Sequence, residues 1–239
     1  MIGPPLQTMA KTIFIAGSRR NAGKTLVIEF LLRSLPGAGA VKLTCCRPEH
    51  GCPRDHPCGV CGALIGPFAV IQDHPVLSQP GKDTARLLAA ATGKVVWLQS
   101  REEALPEAMP AALSRFTAEP VVVVEGNAAF EAMRPDLGVL VIGPGGAPPK
   151  PSVNVALPAI GVVVRNKRPG FAPPAAVEGL REGIPAFEFD AGNPAGDLGA
   201  EAFIAWVAHS LGLRRTTCRV SGTAQNRCAP PKPYPGAPG

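Results

Sequence analysis

The chain has 239 residues, of which 46% are hydrophobic and 18% charged, enough to bury the core of one medium-sized domain. Its formal net charge is +6, but five basic residues and no acid follow Leu213, so the rest carries only +1. This balance argues against an extended nucleic-acid surface. No apolar run is long enough to cross a membrane, and residues 1–11 lack the apolar middle that a secretory signal requires, so we predict a cytoplasmic protein without a membrane partner.

Strands and helices are predicted to alternate, which favours an α/β fold with a mainly parallel central sheet and helices on both faces. In chain order we predict a strand at 12–16, a helix at 26–35, strands at 40–44 and 95–98 flanking a helix at 83–91, a helix at 102–116 bent near Pro110, strands at 121–124, 138–142, 160–164 and 186–189, and a helix at 198–211. The nucleotide-binding domain is predicted to span 10–212, with a cysteine-rich insertion at 45–80 and a disordered tail at 213–239.

Residues 17–25 join the first predicted strand to the first predicted helix and read Gly-Ser-Arg-Arg-Asn-Ala-Gly-Lys-Thr. Such a loop can surround phosphate with backbone amides, while a lysine bridges the outer phosphates and a threonine ligates magnesium. Lys24 and Thr25 are suited to these two roles. The strict P-loop pattern places a glycine where this chain has Ser18, with Gly17 one residue earlier, so the loop is a variant. The predicted cradle residues are Gly17, Asn21, Ala22, Gly23, Lys24 and Thr25.

Two acidic residues are candidates for work beside the phosphates. Glu125 directly follows the four-valine strand, and ligands of parallel sheets bind at the carboxyl ends of the strands. We therefore predict that Glu125 and Thr25 hold magnesium, the alternative being an exposed loop acid. Asp83 is predicted to position metal or water, although a plain helix N-cap explains it equally well.

Asn166 and Lys167 follow the strand predicted at 160–164. An asparagine there can hydrogen-bond the edge of a purine base while a lysine stem covers the ring, so both are candidate nucleotide-binding residues. The alternative is a surface turn.

Five of the seven cysteines lie between positions 45 and 61 of a chain without an export signal. Such crowding favours a metal or redox site over a disulfide framework. Reduced or redox-active thiols and incidental cysteines are the alternatives. The spacing suits zinc or a four-iron cluster bound by Cys46, Cys52, Cys58 and Cys61.

Four segments together resemble the molybdopterin-guanine dinucleotide biosynthesis protein B family. They are Gly17 to Thr25, Val41 to Thr44, Pro80 to Arg86 and Val124 to Gly126. The resemblance implies a P-loop fold of the signal-recognition and MinD-like class, usually homodimeric. It also implies GTP binding with slow hydrolysis, in support of nucleotide attachment to molybdopterin by a cofactor-biosynthesis partner. Where that family is histidine-rich after the second strand, this chain continues from Thr44 into its cysteines.

The chain is also similar, more distantly, to dethiobiotin synthetase, an ATP-dependent ligase of the same fold class. That resemblance implies phosphate and magnesium roles for Lys24, Thr25 and Glu125, a substrate carbamate on Lys42, and a base contact for Asn166. The main hypothesis is a GTP- or ATP-binding accessory protein for molybdenum-cofactor or other metallocofactor maturation, with slow magnesium-dependent hydrolysis. A small-molecule ligase is the second hypothesis, and a metal-binding interaction module with an inactive loop is the third.

Overall fold

The computed structural model describes residues 10–47, 60–145 and 148–213. Its elements in chain order are β1 (Lys11–Gly17), α1 (Lys24–Ser34), β2 (Gly39–Cys46), α2 (Val60–Ala63), β3 (Phe68–Ile71), α3 (His74–Leu77), α4 (Asp83–Ala90), β4 (Val95–Arg101), α5 (Leu105–Leu113), β5 (Val121–Glu125), α6 (Ala129–Ala132), β6 (Leu137–Ile142), β7 (Ile160–Asn166), β8 (Ala186–Phe189) and α7 (Leu198–Ser210). The predicted tail from 214 onward lies outside these ranges. No helix within them is both long and apolar enough to span a membrane.

The strands form one eight-stranded sheet in the order β3-β4-β2-β5-β1-β6-β7-β8. All neighbouring pairs run parallel except the antiparallel β3 and β4. The predicted α/β class with a mainly parallel sheet is therefore confirmed. Because β1, β2 and β5 are central and parallel, their carboxyl ends meet in the middle of one sheet edge, where ligands of such sheets bind.

Both faces of the sheet are covered, as the continuous apolar strand sequences predict for buried parallel strands. On β1, Ile13 and Ile15 face one layer and pack in a cluster with Val27 of α1. Phe14, between them, belongs to a second cluster with Met109 of α5. All five side chains are fully buried. This packing fixes the direction in which β1 delivers the loop that follows it.

The segment predicted as an insertion at 45–80 contributes to the sheet. Cys45 and Cys46 complete β2, whose pairing with β4 continues to its last residue. β3 adds an edge strand of four partly buried residues. So short an apolar run between proline-rich stretches carries no clear periodicity, and only its pairing with β4 defines it as a strand.

The region predicted as one helix over 102–116 is two elements. A 3-10 turn occupies Glu102–Ala104, and α5 follows with Pro110 inside it. The helix therefore continues through the proline at which a bend was expected, and it ends three residues later.

Candidate functional site

The 17–25 loop connects β1 to α1 at the carboxyl edge of the sheet. Asn21 and Gly23 have positive φ angles of 58° and 97°. Two features require glycine at position 23: the positive φ angle, and the space, since a Cβ there would lie 2.3 Å from Asn166 Nδ2. A Cβ on Gly17 would lie 2.8 Å from the Lys24 side chain, so this side chain folds back over the start of the loop. The lysine is thus directed across the mouth of the loop.

Asn127, two residues beyond the end of β5, anchors the start of the loop. The Gly17 amide donates to Asn127 Oδ1 at 3.0 Å, and Asn127 Nδ2 lies 3.3 Å from the Gly17 carbonyl oxygen and 3.2 Å from that of Ser152. The Asn127 residue is only 7% exposed. Nothing in the sequence analysis identified it, although it follows Glu125 closely at the same strand end.

We expect Asn127→Ala to lower the free energy of unfolding by about 1–3 kcal/mol, because the buried polar groups of Gly17 lose their side-chain partner. Urea unfolding followed by circular dichroism measures the change. The matched control is Asn154→Ala, at an exposed position whose side chain makes no hydrogen bond within the described chain. Equal stability of the two variants would contradict the anchoring role.

Lys42 joins the two predicted acidic residues. Its Nζ lies 2.9 Å from Glu125 Oε1 and 2.7 Å from Asp83 Oδ2. The parallel register of β2 and β5 aligns Lys42 with Glu125, and α4 begins at Asp83. The Glu125 residue is 5% exposed, and its Oε2 atom is buried without a hydrogen-bond partner in the described chain. The cluster therefore contains one unsatisfied carboxylate oxygen.

Lys24 lies in the electrostatic field of this cluster. Burial lowers its pKa below the ordinary value and repulsion from Lys42 adds to this, while Glu125 and Asp83 only partly compensate. For Lys42 burial acts in the same direction, but the two carboxylates outweigh it and raise its pKa. The Lys24 ammonium thus lacks full compensation by the protein. A bound anion can supply the missing negative charge.

A third lysine, Lys150, comes from the connector between β6 and β7. Its backbone amide donates to the Ser18 carbonyl oxygen at 2.8 Å. Its pKa is lowered, first by burial and then by repulsion from Lys24 and Arg47. No sequence motif singles it out. Its position in the sequence could have identified it. β6 lies parallel to β1, so the connector that follows β6 starts at the same edge of the sheet as the 17–25 loop.

The structure brings Asn166 to the loop but not Lys167. Asn166 Nδ2 donates to the Ala22 carbonyl oxygen at 3.1 Å, and its Oδ1 accepts the Ala191 amide at 3.0 Å. The Asn166 residue is 6% exposed and braces the loop. Its amide keeps one N–H donor and one oxygen lone pair beyond these bonds, and contact with a base stays a prediction. Lys167 instead pairs with Glu188, at 2.7 Å, on the neighbouring β8.

Thr25 is the second residue of α1, and its hydroxyl makes no hydrogen bond within the described ranges. This leaves the oxygen available for a ligand, as the magnesium prediction requires.

Only part of the predicted cysteine site can be located. Cys46 is buried at the end of β2. Burial raises the pKa of the neighbouring Cys45 thiol to about 11, so this thiol is protonated at neutral pH. Cys52, Cys58 and the Cys61 side chain lie outside the described residues. Among those that are described, no three His, Cys, Asp or Glu side chains are grouped to hold a metal. The four-cysteine site stays a prediction.

The fold and site together define an α/β protein with a lysine- and carboxylate-lined loop at the carboxyl edge of its sheet. The sequence matches no protein-family model and no curated protein at a significant level.

Proposed function

We propose that the protein is a P-loop NTPase that binds GTP or ATP in the 17–25 loop and slowly hydrolyses the bond between the β- and γ-phosphates. One observation carries this proposal. Lys24 folds back over Gly17 within the electrostatic influence of Glu125 and Asp83, where burial leaves its positive charge incompletely compensated. A polyphosphate supplies that compensation.

The chain's own groups account for phosphate binding. The loop amides and the start of α1 present partial positive charge, and the first turn of α1 contains no acidic residue to cancel it. Lys24 stabilises charge on the transferring phosphoryl group, and Lys150, which is close enough to repel Lys24, adds a second ammonium. Asp83, held by Lys42, is in a position to orient water or metal at the cluster.

The residues also fit a magnesium ion. Carboxylate and hydroxyl oxygens are ligands that Mg²⁺ prefers. Glu125 has a buried oxygen without a partner in the described chain, and the Thr25 hydroxyl is unengaged there. Glu125 and Thr25 would hold the ion. Bound there, it would neutralise charge on the β- and γ-phosphates.

Equilibrium binding of non-hydrolysable ATP and GTP analogues, with magnesium and with EDTA, tests this proposal by calorimetry. At least one analogue is expected to bind about tenfold more tightly with magnesium. Thr25→Val should remove this enhancement, and Thr117→Val, an exposed threonine, should keep it. Failure of both analogues to bind the wild-type protein would overturn the proposal.

Lys150→Ala is expected to weaken binding of the magnesium–nucleotide complex about tenfold, because one charge-assisted contact to phosphate is lost. Thermal unfolding should change little, since the Lys150 backbone amide still bonds Ser18. Lys11→Ala, at the opposite end of β1, is the matched control and should bind normally. Unchanged nucleotide affinity in Lys150→Ala would remove this residue from the site.

We propose further that this nucleotide site serves maturation of the molybdenum cofactor or another metallocofactor, in a homodimer that works with a biosynthetic partner. The support is that three segments of the family resemblance, represented by Lys42, Asp83 and Glu125, meet in one ion-pair cluster that acts electrostatically on Lys24. The predicted cysteine ligands add to it. Metal analysis of anaerobically purified protein is the test, and absence of both zinc and iron would remove the cysteine argument.

A ligase of the dethiobiotin synthetase type is the second candidate function. The observation in its favour is that Lys42 and Asp83, beside the loop, also line a cavity of about 340 Å³. Product analysis separates the two functions. A ligase releases ADP in proportion to an added small molecule, whereas the accessory protein shows only slow basal hydrolysis.

A further inference from the structure

The cavity beside the loop has its own set of chemical groups. It lies against one face of β2 and β4 and is bordered by α2 and by the segment from α3 to α4. Its volume is about 340 Å³, enough for a small organic molecule. The lining residues that bear on its ligand are Lys42, Thr44, Gln79, Lys82, Trp97 and Gln99.

Gln99 gives the cavity an amide that no neighbouring group of the described chain occupies. The residue is only 8% exposed, and its side-chain amide has no hydrogen bond to any group in the described ranges. The amide atoms keep access to solvent, so they can bond water or a ligand. Since Gln99 lines the cavity, a polar group of a ligand can satisfy it.

Trp97 provides apolar surface. Its indole Nε1 donates to Thr44 Oγ1 at 3.0 Å, so the ring is fixed and its one hydrogen-bond donor is already engaged. What remains for a ligand is the carbon surface of the ring. Val76 extends this apolar wall from α3.

The charged end of the cavity adjoins the cluster of Lys42, Asp83 and Glu125. Lys42, Lys82 and Asp83 line the cavity; Lys42 is already paired with Asp83 and Glu125, whereas Lys82 makes no ion pair within the described ranges. The Lys42 side chain is 15% exposed and also contacts Glu125, so it stands between the cavity and the proposed nucleotide. An acidic group is the ligand chemistry that suits this end.

We propose that this cavity binds a small organic acid. Its carboxylate lies at the lysine end, its apolar body contacts Trp97, and Gln99 hydrogen-bonds a polar group on it. Its placement beside a terminal phosphate rests on the proposed nucleotide site, and would make the acid the second substrate there. Binding of the acid itself does not depend on nucleotide, because the 17–25 loop does not line the cavity.

The test is ligand-observed NMR on the full-length, nucleotide-free protein. The probes are aromatic and aliphatic monocarboxylic acids, each paired with its neutral primary amide. We expect some acids to bind about tenfold more tightly than their amides, and Lys42→Ala and Lys82→Ala to reduce this preference. Lys94→Ala, an exposed lysine outside the cavity, is the control and should keep it.

Two further variants locate the binding. Trp97→Ala should abolish it, and Gln99→Leu, which keeps the side-chain volume, should weaken it even if Trp97→Ala fails to fold. Lys24→Ala should bind the acids normally, so loss of the nucleotide site is distinguishable from loss of the cavity. The inference is overturned if no acid binds, if acids and amides bind equally, or if Gln99→Leu binds like the wild type.

Discussion

Replacing Lys24 with alanine is expected to slow nucleotide hydrolysis by about 10²–10³-fold, the usual cost of losing one group that stabilises transition-state charge. The Lys24 side chain crosses Gly17 at the start of the loop and reaches a cluster where burial and Lys42 both disfavour its charge. A negative charge that develops on phosphate should therefore interact strongly with the Lys24 ammonium. Single-turnover measurements with saturating magnesium–nucleotide give the rate of the chemical step.

The same variant should not lose stability. At neutral pH the wild-type protein holds a desolvated ammonium at position 24 that its carboxylate neighbours compensate only in part. Alanine removes that unfavourable charge, so the melting temperature should stay the same or rise. Lys94→Ala, an exposed lysine, is the matched control and should hydrolyse nucleotide at the wild-type rate. A Lys24→Ala enzyme as fast as this control would mean that the loop does not act on phosphate.

The loop and its flanking elements could be predicted because their signals are local. An apolar strand ending at Gly17, and a helix that begins at Lys24 and is followed by Pro36, are written in about 25 consecutive residues. The end-of-strand rule also selected Glu125, which pairs with Lys42 in the structure. Its magnesium ligation, by contrast, is chemistry that the fold alone does not test.

The contacts between distant segments could not be read in the same way. Lys42 meets Asp83 and Glu125 only because β2 lies between β4 and β5, a strand order that no local pattern specifies. Lys150 was hidden in a proline-glycine connector, which composition describes as a mere linker. Asn166 was predicted from its position at the end of a strand. Its hydrogen bond to the Ala22 carbonyl oxygen depends on how closely β7 and the loop approach, which no local pattern specifies.

The cluster predicts that Glu125→Gln uncouples nucleotide binding from magnesium. In the wild-type protein one carboxylate oxygen of Glu125 holds Lys42, and the other is buried without a partner in the described chain. An amide keeps the size of the side chain but has no net charge, so it is a poor ligand for Mg²⁺. We expect analogue affinity with magnesium to fall to the level in EDTA, and hydrolysis to fall about a hundredfold.

Magnesium titrations of analogue binding, for the wild type and the variant, measure this effect. Glu29→Gln is a demanding control, because Glu29 is also a buried carboxylate, 7% exposed and paired with Arg86 at 2.6 Å, yet it lies outside the cluster. It should retain the magnesium response. If Glu125→Gln also retains it, the unpartnered oxygen serves something other than a metal. If both variants lose it, the effect comes from disturbing α1 and the sheet rather than from a ligand. Loss in Glu125→Gln alone, with Lys42 still held by Asp83, assigns the metal to this carboxylate.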